Sequence, residues 1–318
     1  MMSILSKNNL CLSLFVLSAL SSVQSQASDL SWSEWQDVHA KGSAFLQITI
    51  DNDSLLLTDK DRFYTSGNHL SQTFFLKTSN QEVSYTWQVG QDLYTASDIK
   101  LTPAQIPKND HPYAGWLFGG IYREVANTEG QDSKVGLELG CLGPCAGGAW
   151  TQNNLHRIIK QPLPQAWSTQ VSNEPGFVLS GEWTPLRWTA SSIVDISPRI
   201  KARFGNIFTD VGADMTLRVG ALNALPQQPA HYAFLRGEAK EVAYNATLQG
   251  GYFNHQRDEQ NTGITPKRSV GELELGYFWR TPAYGISASV LRRSNEIKEL
   301  SNSIGAQSFA RLQFFYAM

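Results

Sequence analysis

Residues 272–279, Glu-Leu-Glu-Leu-Gly-Tyr-Phe-Trp, decide the fold. Leu273, Leu275, Tyr277 and Trp279 alternate with Glu272, Glu274 and Gly276. A period of two marks a strand whose two faces meet different surroundings. The next segment repeats it, with Tyr284, Ile286, Ala288 and Val290 set against Gly285, Ser287 and Ser289. So does the last, where Ala310, Leu312, Phe314 and Tyr316 alternate with Arg311 and Gln313. One face is apolar and tipped with aromatics; the other carries hydroxyls and full charges. A soluble sandwich would bury the apolar face in a core. An outer-membrane barrel turns that face to lipid and lines its lumen with the polar one. Three features favour the barrel. The polar faces are charged, the aromatics sit at segment ends where interfacial girdles lie, and 11% of residues are aromatic although mean hydropathy is only −0.27.

The same rhythm runs back to about residue 42. Strand-length segments fall near 42–51, 67–77, 83–93, 113–124, 133–142, 175–185, 188–204, 208–221, 236–253, 267–281, 284–294 and 307–317. Twelve is an even number, as single-chain bacterial barrels require. The expected fold is therefore all-β: a single transmembrane antiparallel β-barrel of about 12 strands. Lys7 followed by the apolar run Leu10 to Leu20 reads as a signal peptide, with Ser25-Gln26-Ala27 as a cleavage site. Residues 1–27 are thus expected to be the signal and 28–318 the barrel domain. No later run is long and apolar enough to span as a helix. The net charge of −2 offers no basic surface for nucleic acid. The chain ends Phe314-Phe315-Tyr316-Ala317-Met318, so the terminal aromatic usual in bacterial barrels is present but displaced.

Residues 143–174 break the rhythm. Gly143-Pro144 and Gly147-Gly148 lead into Ala149 to Lys160, where the pattern becomes helical, and Pro162 and Pro164 follow. A helical insertion among hairpins is a natural place for a site. On a helix Gln152 and His156 share a face, with Leu155, Ile158 and Ile159 as an apolar stripe beside them. His156 is a candidate general base on a rigid turn; the plain alternative is a surface histidine. Cys141 and Cys145 flank a Leu-Gly-Pro turn. An exported compartment permits a disulfide there, and two unpaired small core residues are the alternative. A zinc site would need more ligands than lie near them.

Three further clusters carry chemistry. Asp51-Asn52-Asp53-Ser54 ends the first strand, and its oxygens suit a hard cation such as calcium. An Asp- and Asn-rich turn is the structural alternative. Thr65, in Asp61-Arg62-Phe63-Tyr64-Thr65-Ser66-Gly67, could orient a substrate or a water, or simply face a neighbouring strand. Asp110-His111-Pro112-Tyr113-Ala114-Gly115-Trp116 suits a membrane-interface turn. No Gly-x-Ser-x-Gly elbow marks a nucleophile. A histidine and a bound cation without one suggest direct attack by water, with His156 taking the proton and the cation facing the oxyanion.

Together these blocks resemble a known family. Asn-Asp-Ser-Leu from Asn52, Asp-Arg-Phe-Tyr-Thr-Ser-Gly from Asp61, and His-Pro-Tyr-Ala-Gly-Trp from His111 come first. Leu-Glu-Leu-Gly-Cys-Leu-Gly-Pro from Leu137, Thr-Gln-Asn-Asn-Leu-His-Arg-Ile-Ile from Thr151 and Gln-Ala-Trp-Ser-Thr-Gln-Val-Ser-Asn-Glu-Pro-Gly from Gln165 follow. In that order, over about 52–176, they resemble the outer-membrane lipid A 3′-O-deacylase family of the LpxR type. The C-terminal half resembles it in strand rhythm alone. The resemblance implies a twelve-stranded barrel in the Gram-negative outer membrane; the chain is expected to be a monomer. It implies a calcium-dependent hydrolase that removes the 3′-linked acyloxyacyl chain from lipid A of lipopolysaccharide. It also implies site residues: Asn52 and Asp53 at the metal, Thr65 and Asn52 positioning metal or substrate, His156 as base and Gln152 at the oxyanion. Lys100, Lys108 and Arg157 are rim cations that could hold lipid A phosphates.

This chain departs from the family pattern in places. Cys141 and Cys145 occupy the Gly-Pro block, and the usual Asp-Arg-Pro-Tyr reads Asp-His-Pro-Tyr. Strict alternation would also send Asn52 and Asp53 to opposite sides unless the strand bends or ends there. Two other readings compete. Another outer-membrane esterase, such as a phospholipase, would need a marked Ser-His pairing. A non-enzymatic pore or adhesin would leave the His156 insertion unexplained.

Overall fold

The computed structural model describes residues 31–56, 63–254 and 263–318. The signal reading at residues 1–27, and Asp61 and Arg62, lie outside them. Thirteen strands are described: β1 (Ser43–Asn52), β2 (Phe63–Lys77), β3 (Gln81–Thr95), β4 (Ala114–Asn127), β5 (Asp132–Leu142), β6 (Glu174–Thr184), β7 (Trp188–Ser191), β8 (Val194–Gly205), β9 (Phe208–Ala221), β10 (Ala230–Asn245), β11 (Ser269–Arg280), β12 (Tyr284–Arg293) and β13 (Gln307–Ala317). Apart from β6 and β7, chain neighbours pair antiparallel; β1 also pairs with β13, and β6 with β8 past the short β7. Twelve strands therefore close into a barrel with no free edge, and β7 hangs on β8 as a side hairpin. Closure satisfies every ladder, which is what a strand structure needs in lipid.

Two expected boundaries move. The segment 188–204 is a hairpin, because the chain turns between Ser191 and Val194. Ser-Ser-Ile carries none of the Gly, Pro or Asn signals that mark a turn. The segment 236–253 begins earlier, at Ala230, and ends at Asn245, whose side chain caps a single helical turn over Ala246–Gln249.

The alternation has its expected physical meaning. Leu70, Trp87, Val89, Ile121, Leu139, Leu273 and Leu275 are exposed on the outside of the wall. The lumen is bridged by ions. Arg311 holds Asp51 through two bonds, Nε to Oδ1 at 2.8 Å and Nη2 to Oδ2 at 2.7 Å. Lys201 bridges Asp214 at 3.0 Å and Glu238 at 2.6 Å, and Arg199 meets Glu182 at 2.9 Å. His69 Nε2 lies 2.9 Å from Asp92, which also accepts from the Tyr64 hydroxyl.

The two rims differ. Connections 78–80, 128–131 and 281–283 lie at one rim; 96–113 and 143–173, with the described residues 53–56, 246–254 and 263–268, lie at the other. Helix α1 (Trp32–Lys41) sits at the short-turn rim and was not among the elements read from the sequence. Its start is nevertheless written there: Ser31 caps the helix by accepting from Glu34 N at 3.1 Å, the Ser-x-x-Glu pattern of a capping box. Helix α2 (Gly148–Ile159) sits at the long-loop rim, as expected.

Candidate active site

Strand pairing places the expected residues on definite faces. In β1, Asp51 opposes Gly67 and faces the lumen, whereas Asn52 opposes Ser66, which opposes Leu93, which opposes Gly115. Opposed residues share a face, so Asn52, Ser66, Leu93 and Gly115 form one row on the outside of the wall. Adjacent strands are about 4.8 Å apart, which sets Asn52 roughly 10 Å from Leu93. Asp53 follows the strand end and is buried. The register of β2 against β3 shifts between Tyr64 and Ser66, so Thr65 is the extra residue of a bulge. Its Oγ1 lies 2.6 Å from Thr95 Oγ1. Phe63, just before it, has a left-handed φ of 61°, an uncommon conformation for a large side chain.

Helix α2 packs on that same outer row. Gly148 is its first residue, and a Cβ there would meet Leu93 at 2.9 Å and the Trp167 ring at 2.7 Å. Only glycine lets the helix start this close to the wall. Gln91, two residues before Leu93 on the same face, donates from Nε2 to the Ala146 carbonyl at 2.7 Å. The cysteine question is answered here: Cys141 and Cys145 are disulfide-bonded, tying the end of β5 to the turn that feeds α2.

The buried residues of α2 are Gly148, Gln152 and His156. The apolar stripe is on the other side: Ile158 is 78% exposed and Trp150 74%, with Leu155 and Ile159 also exposed. In water this arrangement would be inside out; against lipid it is the stable one. After Ile159 the chain reverses through Lys160 in the left-handed region. The reversal brings the Pro162 carbonyl 2.6 Å from His156 Nδ1. A carbonyl only accepts, so Nδ1 donates and the lone pair sits on Nε2. Gln152 is fixed as firmly: its Oε1 accepts from Trp167 Nε1 at 2.9 Å. Its Nε2 is buried and has no hydrogen-bond partner among the described residues. A buried donor without an acceptor is costly, and such groups concentrate where a ligand completes them.

The structure thus brings His156 and Gln152 together on one face, and sets Asn52 on the outer row that ends under α2 and Thr65 in the bulge next to that row. Asn52 is partly committed, since its Oδ1 accepts from Ser54 N at 2.8 Å in an Asx turn. Asp51, part of the oxygen-rich stretch, is spent on Arg311. The Asp110 to Trp116 block is not an exposed interface turn. Asp110, His111 and Tyr113 are buried; Asp110 accepts from Ser97 and His111 backbone N–H groups, and Tyr113 meets Trp167 edge-on at 5.1 Å. Tyr113 packs the loops beneath α2, and Trp116 stacks on Phe118 in a separate buried cluster. Burial holds the His111 imidazole below its ordinary value. Trp167, Pro162 and Thr95 position the site and had no role in the sequence reading. Trp167 stood in one of the quoted blocks; Pro162 acts through its carbonyl, which leaves no side-chain signal.

A family model described as outer membrane protein LpxR matches residues 10–318. The chain belongs to the LpxR family. Among solved structures, this LpxR-family chain is similar to LpxR from Salmonella typhimurium, with a TM-score of 0.71 at 22% identity over 86% of this chain and 99% of that one. The beta domain of the Bordetella autotransporter BrkA follows at a TM-score of 0.48 and 12% identity, over 86% and 98%. The translocator domain of NalP from Neisseria meningitidis gives 0.38 at 8%, over 96% and 97%. No curated protein matches. The chain is a Gram-negative outer-membrane barrel. Its long loops, and with them α2, lie at the extracellular rim, because barrels of this class keep short turns in the periplasm.

Proposed function

We propose that this chain is a lipid A 3′-O-deacylase, a carboxylic ester hydrolase acting on the 3′-linked acyloxyacyl chain. The observation that carries the reading is the buried face of α2 in an LpxR-family barrel. It holds a histidine with its proton fixed on Nδ1 beside a glutamine with a spare buried donor. His156 Nε2 takes a proton from water as the water oxygen bonds to the ester carbonyl carbon. Charge grows on the carbonyl oxygen, and Gln152 Nε2 donates to it. The intermediate then releases the sugar 3′ oxygen, which takes the proton from His156, and the acyloxyacyl chain departs as its acid.

Calcium, when bound, would add positive charge beside that oxyanion. The donors near the strand end are oxygens, as a hard cation prefers. Asp53 would hold the ion by its carboxylate, and Asn52 Oδ1 would join by giving up Ser54. Thr65 would steady the substrate or the ion. Among the described residues no three His, Cys, Asp or Glu side chains gather, so this chain supplies few charged ligands. Binding would be weak and open to chelation.

The test is mass spectrometry of lipid A from a Gram-negative host expressing the chain. One 3′ acyloxyacyl unit should disappear, and both His156→Ala and a calcium chelator should restore it. Unchanged lipid A from correctly inserted protein would sink the reading; cleaved phospholipid would favour the esterase alternative. The ion-bridged lumen argues against a pore.

A further inference from the structure

The outward residues of β3 form a ladder between the two helices. Tyr85, near the periplasmic rim, donates to Glu34 of α1 at 2.6 Å. Trp87 and Val89 come next and are exposed. Gln91 then bonds Ala146, Leu93 underlies Gly148, and Thr95 meets Thr65. Residues rise about 3.4 Å each, so Tyr85 and Gln91 stand roughly 20 Å apart along the strand. With the usual tilt of about 40° that is about 15 Å of depth, close to half of a ~30 Å hydrocarbon core.

In that interval the wall is hollow. A cavity of about 560 Å³ is lined by Leu70, Trp87, Val89, Gly119, Ile121 and Leu139, among others. Gly119 is its floor: a Cβ built there reaches nothing closer than Gln88 O at 4.0 Å. The space exists because this outward position of β4 has no side chain. We propose that this groove takes one acyl chain of the lipid whose ester the α2 site cleaves. The proposal rests on the deacylase reading and names where the hydrophobic part of its substrate lies. Two residues above Val89 on the same face, Gln91 bonds the turn leading into α2, so a chain leaving the groove upward heads for the site. The groove is largely apolar and continuous with the lipid-facing wall, which suits an acyl chain and no polar ligand. A second outer hollow of about 680 Å³, around Met215 and Leu273, lies away from both helices. It serves as the control.

Benzoylphenylalanine placed at Trp87, or separately at Met215, would be irradiated in intact outer membranes of the lipid A-producing host, and adducts weighed by mass spectrometry. The expected result is a lipid A adduct at position 87 about tenfold more abundant than at 215, a ratio worth ~1.4 kcal/mol. Equal yields, or phospholipid alone at 87, would overturn the proposal. This readout needs no turnover, so it stands even if the deacylase reading fails. The second variant is Gly119→Phe, which fills the groove from open space. The ratio of lipid A cleavage to p-nitrophenyl butyrate hydrolysis should fall about tenfold. An unchanged ratio would overturn the groove, while wild-type protein that cleaves neither substrate would overturn the deacylase reading and leave the crosslink to decide.

Discussion

Two helices ride the outside of the same wall sector, β2 to β4, at opposite rims, and they use their polar residues in opposite ways. Helix α1 uses them for attachment. Glu34 takes both Nε and Nη2 of Arg123, at 2.8 and 2.9 Å, while His39 lies between Trp35 and Phe74. Helix α2 is attached by backbone and glycine contacts instead, through Gly148 and Ala146. That leaves the Gln152 Nε2 donor on its buried face without an acceptor among the described residues. The Glu34 carboxylate is spent within the protein; the Gln152 amide keeps a donor in reserve. The difference shows that a buried polar side chain becomes a site only when something else has already fixed its element.

Variants at the two ends sharpen that contrast. His156→Ala should remove the base and cost about 10²- to 10⁴-fold in lipid A cleavage, with the barrel still heat-modifiable on a gel. Activity within tenfold of wild type would take His156 out of the mechanism. Gln152→Glu keeps an acceptor for Trp167 and loses the donor. About a 10²-fold drop in kcat is expected, with melting little changed; a fall in melting alone would make Gln152 a structural residue. Cys145→Ser opens a very small ring, worth about 2 kcal/mol in the chain-entropy picture. Faster hydrogen exchange should then appear in α2 and not in α1. Glu34→Gln breaks the charge-assisted pair and should loosen α1 by about 1.5–3 kcal/mol. Limited proteolysis would detect this, and lipid A cleavage should stay as it was.

The smallest effect is one of pH and belongs to the loops under α2. Burial depresses the His111 pKa from 6.5. The unfolded chain therefore binds the proton first as pH falls. Stability present above about pH 6.5 is lost as pH drops towards the folded value, by at most ~1.4 kcal/mol per unit. Heat-modifiability between pH 7.5 and 5 should show a slope that His111→Phe abolishes.

The barrel was legible because lipid outside and ions inside impose opposite demands on alternate residues, as Leu273 and Glu274 show. All twelve wall strands were found on that basis. The hairpin at 191–194 was not, since Ser-Ser-Ile has strand-compatible chemistry and the turn is forced by closure onto β6. Helix α1 carried its cap in plain view but lies in only ten residues with a weak apolar pattern. Gln152 and His156 were readable as sharing a face. Which face of α2 would be buried was not readable, because amphipathic spacing gives two sides without saying which solvent each meets. The alternation at Asn52 and Asp53 was a fair difficulty. Asn52 takes the outer face and Asp53 leaves the strand, a bend set by the loop and not by propensity.

On the deacylase reading, a barrel closed through β6 and β8, filled with paired ions and carrying α2 on the outside, is not supplied through its own axis. Its substrate comes sideways. Encounters occur in two dimensions, so the variable that governs turnover is surface density in the leaflet rather than bulk concentration. Diluting the membranes in buffer should leave the rate per protein untouched, whereas diluting the lipid within the membrane should lower it.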